Sequence, residues 1–321
     1  MPSHRPVAVY TGAGMAAYGF TRGSLPDGRH YYDPGRFTAF AAALRASELA
    51  PQVRELDAPP ATDAELLRFH SPAHLEFIRR RCAEDRGALD HGPTPAQPHM
   101  PAAAASVVGA VLDATRRLCR GELGRAFVPI SGFHHAARER ATSYCLYNDC
   151  ALALALLTDL LPDQTIAYVD IDAHLGDGVW DAFVDHPRVV LLDIHQHAAS
   201  HWYSDGHEPE PAPIVTPRAR SFALPAGAGD PGFAALWPEQ LAWLGAHTPA
   251  FIVLNAGADG LAGDRLGSLL YSPRVHARVA RDLVALADHH ADGRLLALGG
   301  GGYHPPAFTA AWLAVISALL A

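Results

Sequence analysis

Short β-branched runs recur along the chain with longer helical stretches between them, and this alternation restricts the fold more than any other feature. The runs are VAVYT (7–11), RAFVPI (125–130), IAYVDID (166–172), RVVLLDIH (188–195), FIVLNAG (251–257) and RLLALGG (294–300). Parallel strands need long crossovers, usually helices, and strands buried on both faces read as nearly unbroken apolar runs. Helical patterns at 62–69, 72–82, 145–160, 231–247, 273–289 and 305–320 lie between the runs, with Pro or Asp near several starts. The expected architecture is α/β, three layers with a central, mostly parallel sheet between helices. No Ser/Gly linker or break in composition divides the 321 residues, so a single domain over 1–321 is expected. The segment 199–230, rich in His, Pro, Glu and Gly, is long for a connection and is expected to be an irregular, functional loop.

Composition removes several classes of function. With 49% hydrophobic and 18% charged residues, the chain can bury a large core and lies far from disordered compositions. A net charge of −8, with no Lys/Arg run, argues against a nucleic-acid or anionic-membrane partner and mildly favours cationic substrates. The start, MPSHRPVAVYTG, lacks the apolar core of a signal peptide, and no stretch reaches the ~20 apolar residues that span a bilayer. A cytoplasmic protein is expected. The C-terminal PAFTAAWLAVISALLA reads as a docked, fully buried helix. Cys82, Cys119, Cys145 and Cys150 form no CxxC pair, so reduced thiols are expected rather than disulfides or a Cys-based zinc site. The oligomeric state is left open, a homo-oligomer included.

The chemistry lies in YVDIDAHLGDG (168–178), which puts charge where a buried strand should be ending. Side chains two apart share a strand face, so Asp170, Asp172 and His174 are expected to project together from the carboxyl end, where open parallel sheets bind ligands. Buried carboxylates so placed repel each other unless a cation neutralises them, and a metal is the simplest such cation. Other expected strand ends carry similar groups: His134 and His135 in VPISGFHHA, Asp259 in FIVLNAGADG, and Tyr303 in LLALGGGGYH. Any one of these is most often an ordinary satisfied polar residue; four strand ends agreeing is not the ordinary case.

GFHHA, YVDIDAHLGDGV, NAGADGLAGDRLG and LGGGGY, in that order and flanked by HSPAHLEFI and HPPAFTAAW, resemble the motif series of the histone deacetylase family, which includes acetylpolyamine amidohydrolases and acetoin-utilization proteins. The wording NAGADGLAGDRLG followed by YSP, with Asp193 in LLDIH, is similar to its class IV branch. The resemblance implies an arginase–deacetylase-like fold and hydrolysis of an N-acyl amide of acyl-lysine, an acylated polyamine or another small amine, to a carboxylate and a free amine. It implies that Asp172, His174 and Asp259 hold one divalent metal, Zn2+ by family usage; one imidazole with two carboxylates leaves Fe2+ and Mn2+ open. It pairs His134 with Asp170 and His135 with Asp177, gives His135 the general base and acid role and His134 an electrostatic one, and makes Tyr303 the donor to the oxyanion.

Further implications concern a monovalent cation and the substrate. A potassium ion is implied at Asp170, Asp172, His174, Asp193 and Ile194, although Asp193 replaces a serine common in class I. Leu175 stands where many members have a second histidine. Tyr144 and Trp202 are implied as opposite walls of a tunnel that grips an aliphatic stem, with Ser143, Gly301 and Leu266 beside the substrate. In DHGPTPAQP, Pro93 or Thr94 falls where members carry a rim aspartate, so that anchor is expected to be absent. A binuclear manganese ureohydrolase also uses DAH, but it puts an aspartate two residues after the histidine and pairs aspartates on a later strand. Here Leu175 and Gly176 intervene and Asp259 stands alone. A non-catalytic acyl-amine binding module is disfavoured because every catalytic position is filled.

Overall fold

The computed structural model describes residues 6–22, 32–92, 94–197 and 213–321. Nine strands, β1 (Val7–Tyr10), β2 (Arg54–Leu56), β3 (Arg125–Val128), β4 (Ile166–Asp170), β5 (Val189–Gln196), β6 (Ile214–Val215), β7 (Ala219–Leu224), β8 (Phe251–Asn255) and β9 (Leu295–Leu298), form one sheet in the order β2-β1-β3-β9-β8-β4-β5-β7-β6. Every neighbouring pair is parallel except β6 with β7. The helices are α1 (Ala13–Ala16), α2 (Gly35–Ala46), α3 (Asp63–Leu66), α4 (Pro72–Ala83), α5 (Met100–Cys119), α6 (Asp149–Leu160), α7 (Asp177–Phe183), α8 (Asp230–Ala246), α9 (Pro273–His290) and α10 (Pro305–Leu319).

Strands β4, β5, β8 and β9 are buried along their whole length, because helices cover both faces. One group, α2, α8, α9 and α10, packs together; α1, α4, α5, α6 and α7 form the other. This is the expected α/β, three-layer, mostly parallel architecture. All six expected strands are present. Among the described residues no helix is long and apolar enough to cross a membrane; α10 is docked as expected but is buried on one face and not all round, with Phe308, Trp312, Val315, Ile316 and Leu319 inside and Pro305, Pro306, Ala310 and Ser317 exposed.

The differences have local causes. Part of 199–230 is not irregular: β6 and β7 extend the sheet edge at 214–215 and 219–224, where ARSFAL pairs with buried β5 although its own burial is mixed. The helix expected from 145 begins at Asp149. Asn148 caps it, its Oδ1 accepting from Ala151 N at 2.8 Å, and Ser143 and Tyr144 before it have φ of +49° and +68°, which no helix tolerates. The 62–69 pattern yields only α3, opened by a Thr62–Glu65 capping box. The Ala-rich α5 was not among the expected helices.

Candidate functional site

The carboxyl ends of β3, β4, β8 and β9 meet in the middle of the sheet, and the loops leaving them carry the expected groups. Donor atoms of Asp172, His174 and Asp259 lie within 4.8 Å of one another; among the described residues this is the one such cluster. His174 Nδ1 is 3.2 Å from Asp172 Oδ1 and 2.9 Å from Asp259 Oδ2. Main-chain donors fix the carboxylates: Gly301 N bonds Asp172 Oδ2 at 2.7 Å, and Ala173 N bonds Asp259 Oδ1 at 2.8 Å. The glycine run permits this approach, since a Cβ at Gly301 would sit 2.1 Å from Asp259 Oδ2.

Both histidines have the expected partners. His134 Nδ1 lies 2.8 Å from Asp170 Oδ2 and His135 Nδ1 2.7 Å from Asp177 Oδ1, leaving each Nε2 for other chemistry. The two rings are 4.1 Å apart, and His135 lies 6.0 Å from the His174 ring. Their environments push them in opposite directions. Burial disfavours charge on His134, but the Asp170 and Asp172 carboxylates outweigh it and push the imidazole up to about 10. Burial, reinforced by the neighbouring His134 charge, holds His135 below its ordinary value despite Asp177.

The cluster itself is electrostatically strained. Burial and the Asp172 charge push Asp259 up, while Asp172 is held low against its burial by His134 and His174. His174 is raised well above the ordinary imidazole range, burial notwithstanding, by the same two carboxylates. A divalent cation suits this donor set: two buried carboxylates and one imidazole aimed at a common point. Burial and the Asp259 charge keep the Tyr303 phenol protonated, hence a donor, at neutral pH.

Several contributors escaped sequence reasoning. Asp170 accepts from Tyr168 OH (2.6 Å), Asn255 Nδ2 (3.1 Å) and Asp172 N (3.0 Å), as well as facing His134. Tyr168 and Asn255 read as strand interior in the sequence. Asn148 Nδ2 donates to His134 O and Ala136 O, so one cap residue also holds the histidine loop. Asp264 accepts from Tyr303 N and lay unremarked inside a motif already singled out.

At the substrate-side positions, Tyr144 is 5% exposed, with its ring 6.2 Å from that of Tyr303. Leu266 is buried. Ser143 N donates to Asp90 Oδ2 at 3.0 Å. Trp202 and Pro93 lie outside the described residues. Thr94 is fully buried, and Asp90, three residues before the position expected to lack an aspartate, has its oxygens taken by Gly92 N, Thr94 N, the Thr94 hydroxyl and Ser143 N.

Asp193 pairs in register with Asp170 across β4 and β5, beside buried Ile194. Its Oδ1 is 2.6 Å from His195 Nδ1, and its Oδ2 accepts from Gly176 N at 2.9 Å. Burial pushes Asp193 up to about 6, with His195 opposing that rise and Asp170 adding to it.

Comparison with known proteins agrees with this geometry. A family model described as "Histone deacetylase domain" matches residues 30–319. The chain is similar to Histone deacetylase 8 of Arabidopsis thaliana, 27% identical over 319 residues, covering 93% of this chain and 83% of that protein. It is also similar to the acetoin utilization protein AcuC of Bacillus subtilis (strain 168), 29% identical over 268 residues and covering 79% and 69%. Several other curated relatives are longer, and the chain spans about half their length. The crystal structure of the HDA15 HD domain superposes with a TM-score of 0.83 at 24% identity, over 98% of this chain and 89% of that one, which shows the shared fold. The chain belongs to the histone deacetylase family.

Proposed function

We propose that the chain is a metal-dependent amidohydrolase that cleaves the N-acyl amide of acyl-lysine, an acylated polyamine or another small acylated amine. The observation that carries this reading is the convergence of Asp172, His174 and Asp259 beside two His–Asp pairs and the half-buried phenol of Tyr303. A divalent ion held by those three residues, zinc by family usage, would supply Lewis acidity toward the amide carbonyl and toward water.

The protein's own groups do the rest. His135, held neutral with Nδ1 toward Asp177, accepts a proton at Nε2 as water adds to the carbonyl carbon, then returns it to the nitrogen as the C–N bond breaks. The products are a carboxylate and a free amine. His134, kept cationic by Asp170 and Asp172, stabilises negative charge without moving a proton. Tyr303 donates its hydroxyl to the developing oxyanion. Tyr144 and Leu266 supply apolar wall for the acyl-amine stem.

At the potassium site implied by the resemblance, the two carboxylates already have protein partners. Asp170 is met by four protein donors, and the Asp193 oxygens are engaged by His195 and Gly176. No step is assigned to a monovalent cation. Nor is a binuclear reading supported, since the described residues contain one metal-type cluster.

The direct test is a panel of acyl-lysine peptides and acylpolyamines assayed with metal-reconstituted protein. Release of amine and carboxylate from at least one class supports the reading. Stoichiometric binding of every substrate without turnover would favour a binding module.

A further inference from the structure

The loop 299–304, which carries Tyr303, hangs between a buried cation, Arg36, and a half-buried anion, Asp264. Arg36, in the first turn of α2 and 3% exposed, donates from Nε to Gly302 O at 2.7 Å and from Nη2 to Gly300 O at 2.9 Å. Its guanidinium carbon lies 5.3 Å from the Tyr303 ring centre. From the other side, Asp264 Oδ2 accepts from Tyr303 N at 2.6 Å and His304 N at 3.2 Å, while Oδ1 takes Leu266 N at 3.0 Å. Carbonyls thus face the cation and N–H groups face the anion. Charge-assisted bonds of this kind are roughly twice as strong as neutral ones.

The loop has little means of holding itself. Gly300 and Gly302 have φ of +67° and +122°, and glycine confers no conformational preference there. Pro305 and Pro306 follow, so the first two positions of α10 offer no N–H to the carboxylate. Burial, with Asp259 adding to it, pushes Asp264 up to about 6, so an ionised group here is costly and is sustained by its three N–H partners.

We propose that Asp264 is a positioning residue for the reaction: by fixing the main chain at Tyr303, it places the phenol hydroxyl where the substrate oxyanion develops. This rests on the amidohydrolase reading above. The competing account is that Asp264 merely supplies a stabilising anion at the start of α10.

A double-mutant cycle on the metal-loaded enzyme separates the two. Asp264→Ala is expected to lower kcat by ~10-fold to ~10²-fold, the range in which a misplaced catalytic group costs rate, with metal content and KM nearly unchanged. In a Tyr303→Phe background the same substitution should cost less than about 2-fold more, since no hydroxyl remains to misplace. Asp264→Asn, which keeps one acceptor oxygen, should show a smaller loss with the same non-additivity, and it carries the cycle if the alanine variant does not fold. Full, additive losses in both backgrounds, or activity falling only in proportion to metal or folded protein, would overturn the proposal. A Tyr303→Phe enzyme with unchanged kcat would instead count against the reading of the reaction itself.

Discussion

Gly301 donates its N–H to Asp172 Oδ2 at 2.7 Å, which fastens the glycine loop directly to a carboxylate of the metal-type cluster. Added side-chain bulk has nowhere to go, because a Cβ would meet Asp259 Oδ2 at 2.1 Å and Asp172 Oδ2 at 2.9 Å. Gly301→Ala is therefore expected to displace both carboxylates and weaken metal binding, read by metal titration of the chelated protein. Wild-type affinity in a folded Gly301→Ala protein would show that the loop is not held as described.

Opposite displacement of the two adjacent histidines makes a second prediction. His135 must be neutral to accept a proton, and its environment holds it below 6.5, so the acid limb of kcat/KM should fall below that pH. Asp177 raises His135, so Asp177→Asn should move the limb to still lower pH and reduce the maximal rate. His135→Ala should cost at least ~10²-fold in kcat with metal retained. A limb that moves upward in Asp177→Asn would contradict the assignment.

Stability should depend on His70, which takes no part in the proposed chemistry. Its Nε2 accepts from Asn148 N at 2.9 Å, with Nδ1 3.2 Å from Arg138 O, so the folded protein requires the neutral ring. Burial, then the neighbouring His74, pushes it down to about 3 from 6.5. Between those values the unfolded chain binds the proton and the folded chain does not, so His70's contribution is complete above pH 6.5 and is lost as pH falls. Denaturant titrations of His70→Gln should show a decline shallower than wild type by up to about 1.4 kcal/mol per pH unit in this window. Parallel curves would refute the depressed pKa.

What was legible in the sequence was what is local or repeats. Asp172 and His174 share a spacing, the six inner strands are apolar runs, and Tyr303 follows its own glycines. Groups whose meaning depends on tertiary approach were not legible: Arg36 reaches Gly302 across 266 residues, and Tyr168 and Asn255 look like core until their polar ends are seen on Asp170. Strand β7, one in from the edge formed by β6, escaped because its mixed burial lacks the unbroken apolar run that two-sided burial gives the inner strands.

The central claim is that one divalent metal at Asp172, His174 and Asp259 is required for amide hydrolysis. It is tested most directly by stripping the protein with chelator and returning metal in measured increments while following both bound ion and hydrolysis of an acyl-lysine peptide. The account predicts no turnover in the stripped protein, activity rising linearly to a plateau at one ion per chain, and no stoichiometric binding by Asp172→Ala or Asp259→Ala. Full turnover in protein verified to be metal-free would contradict it.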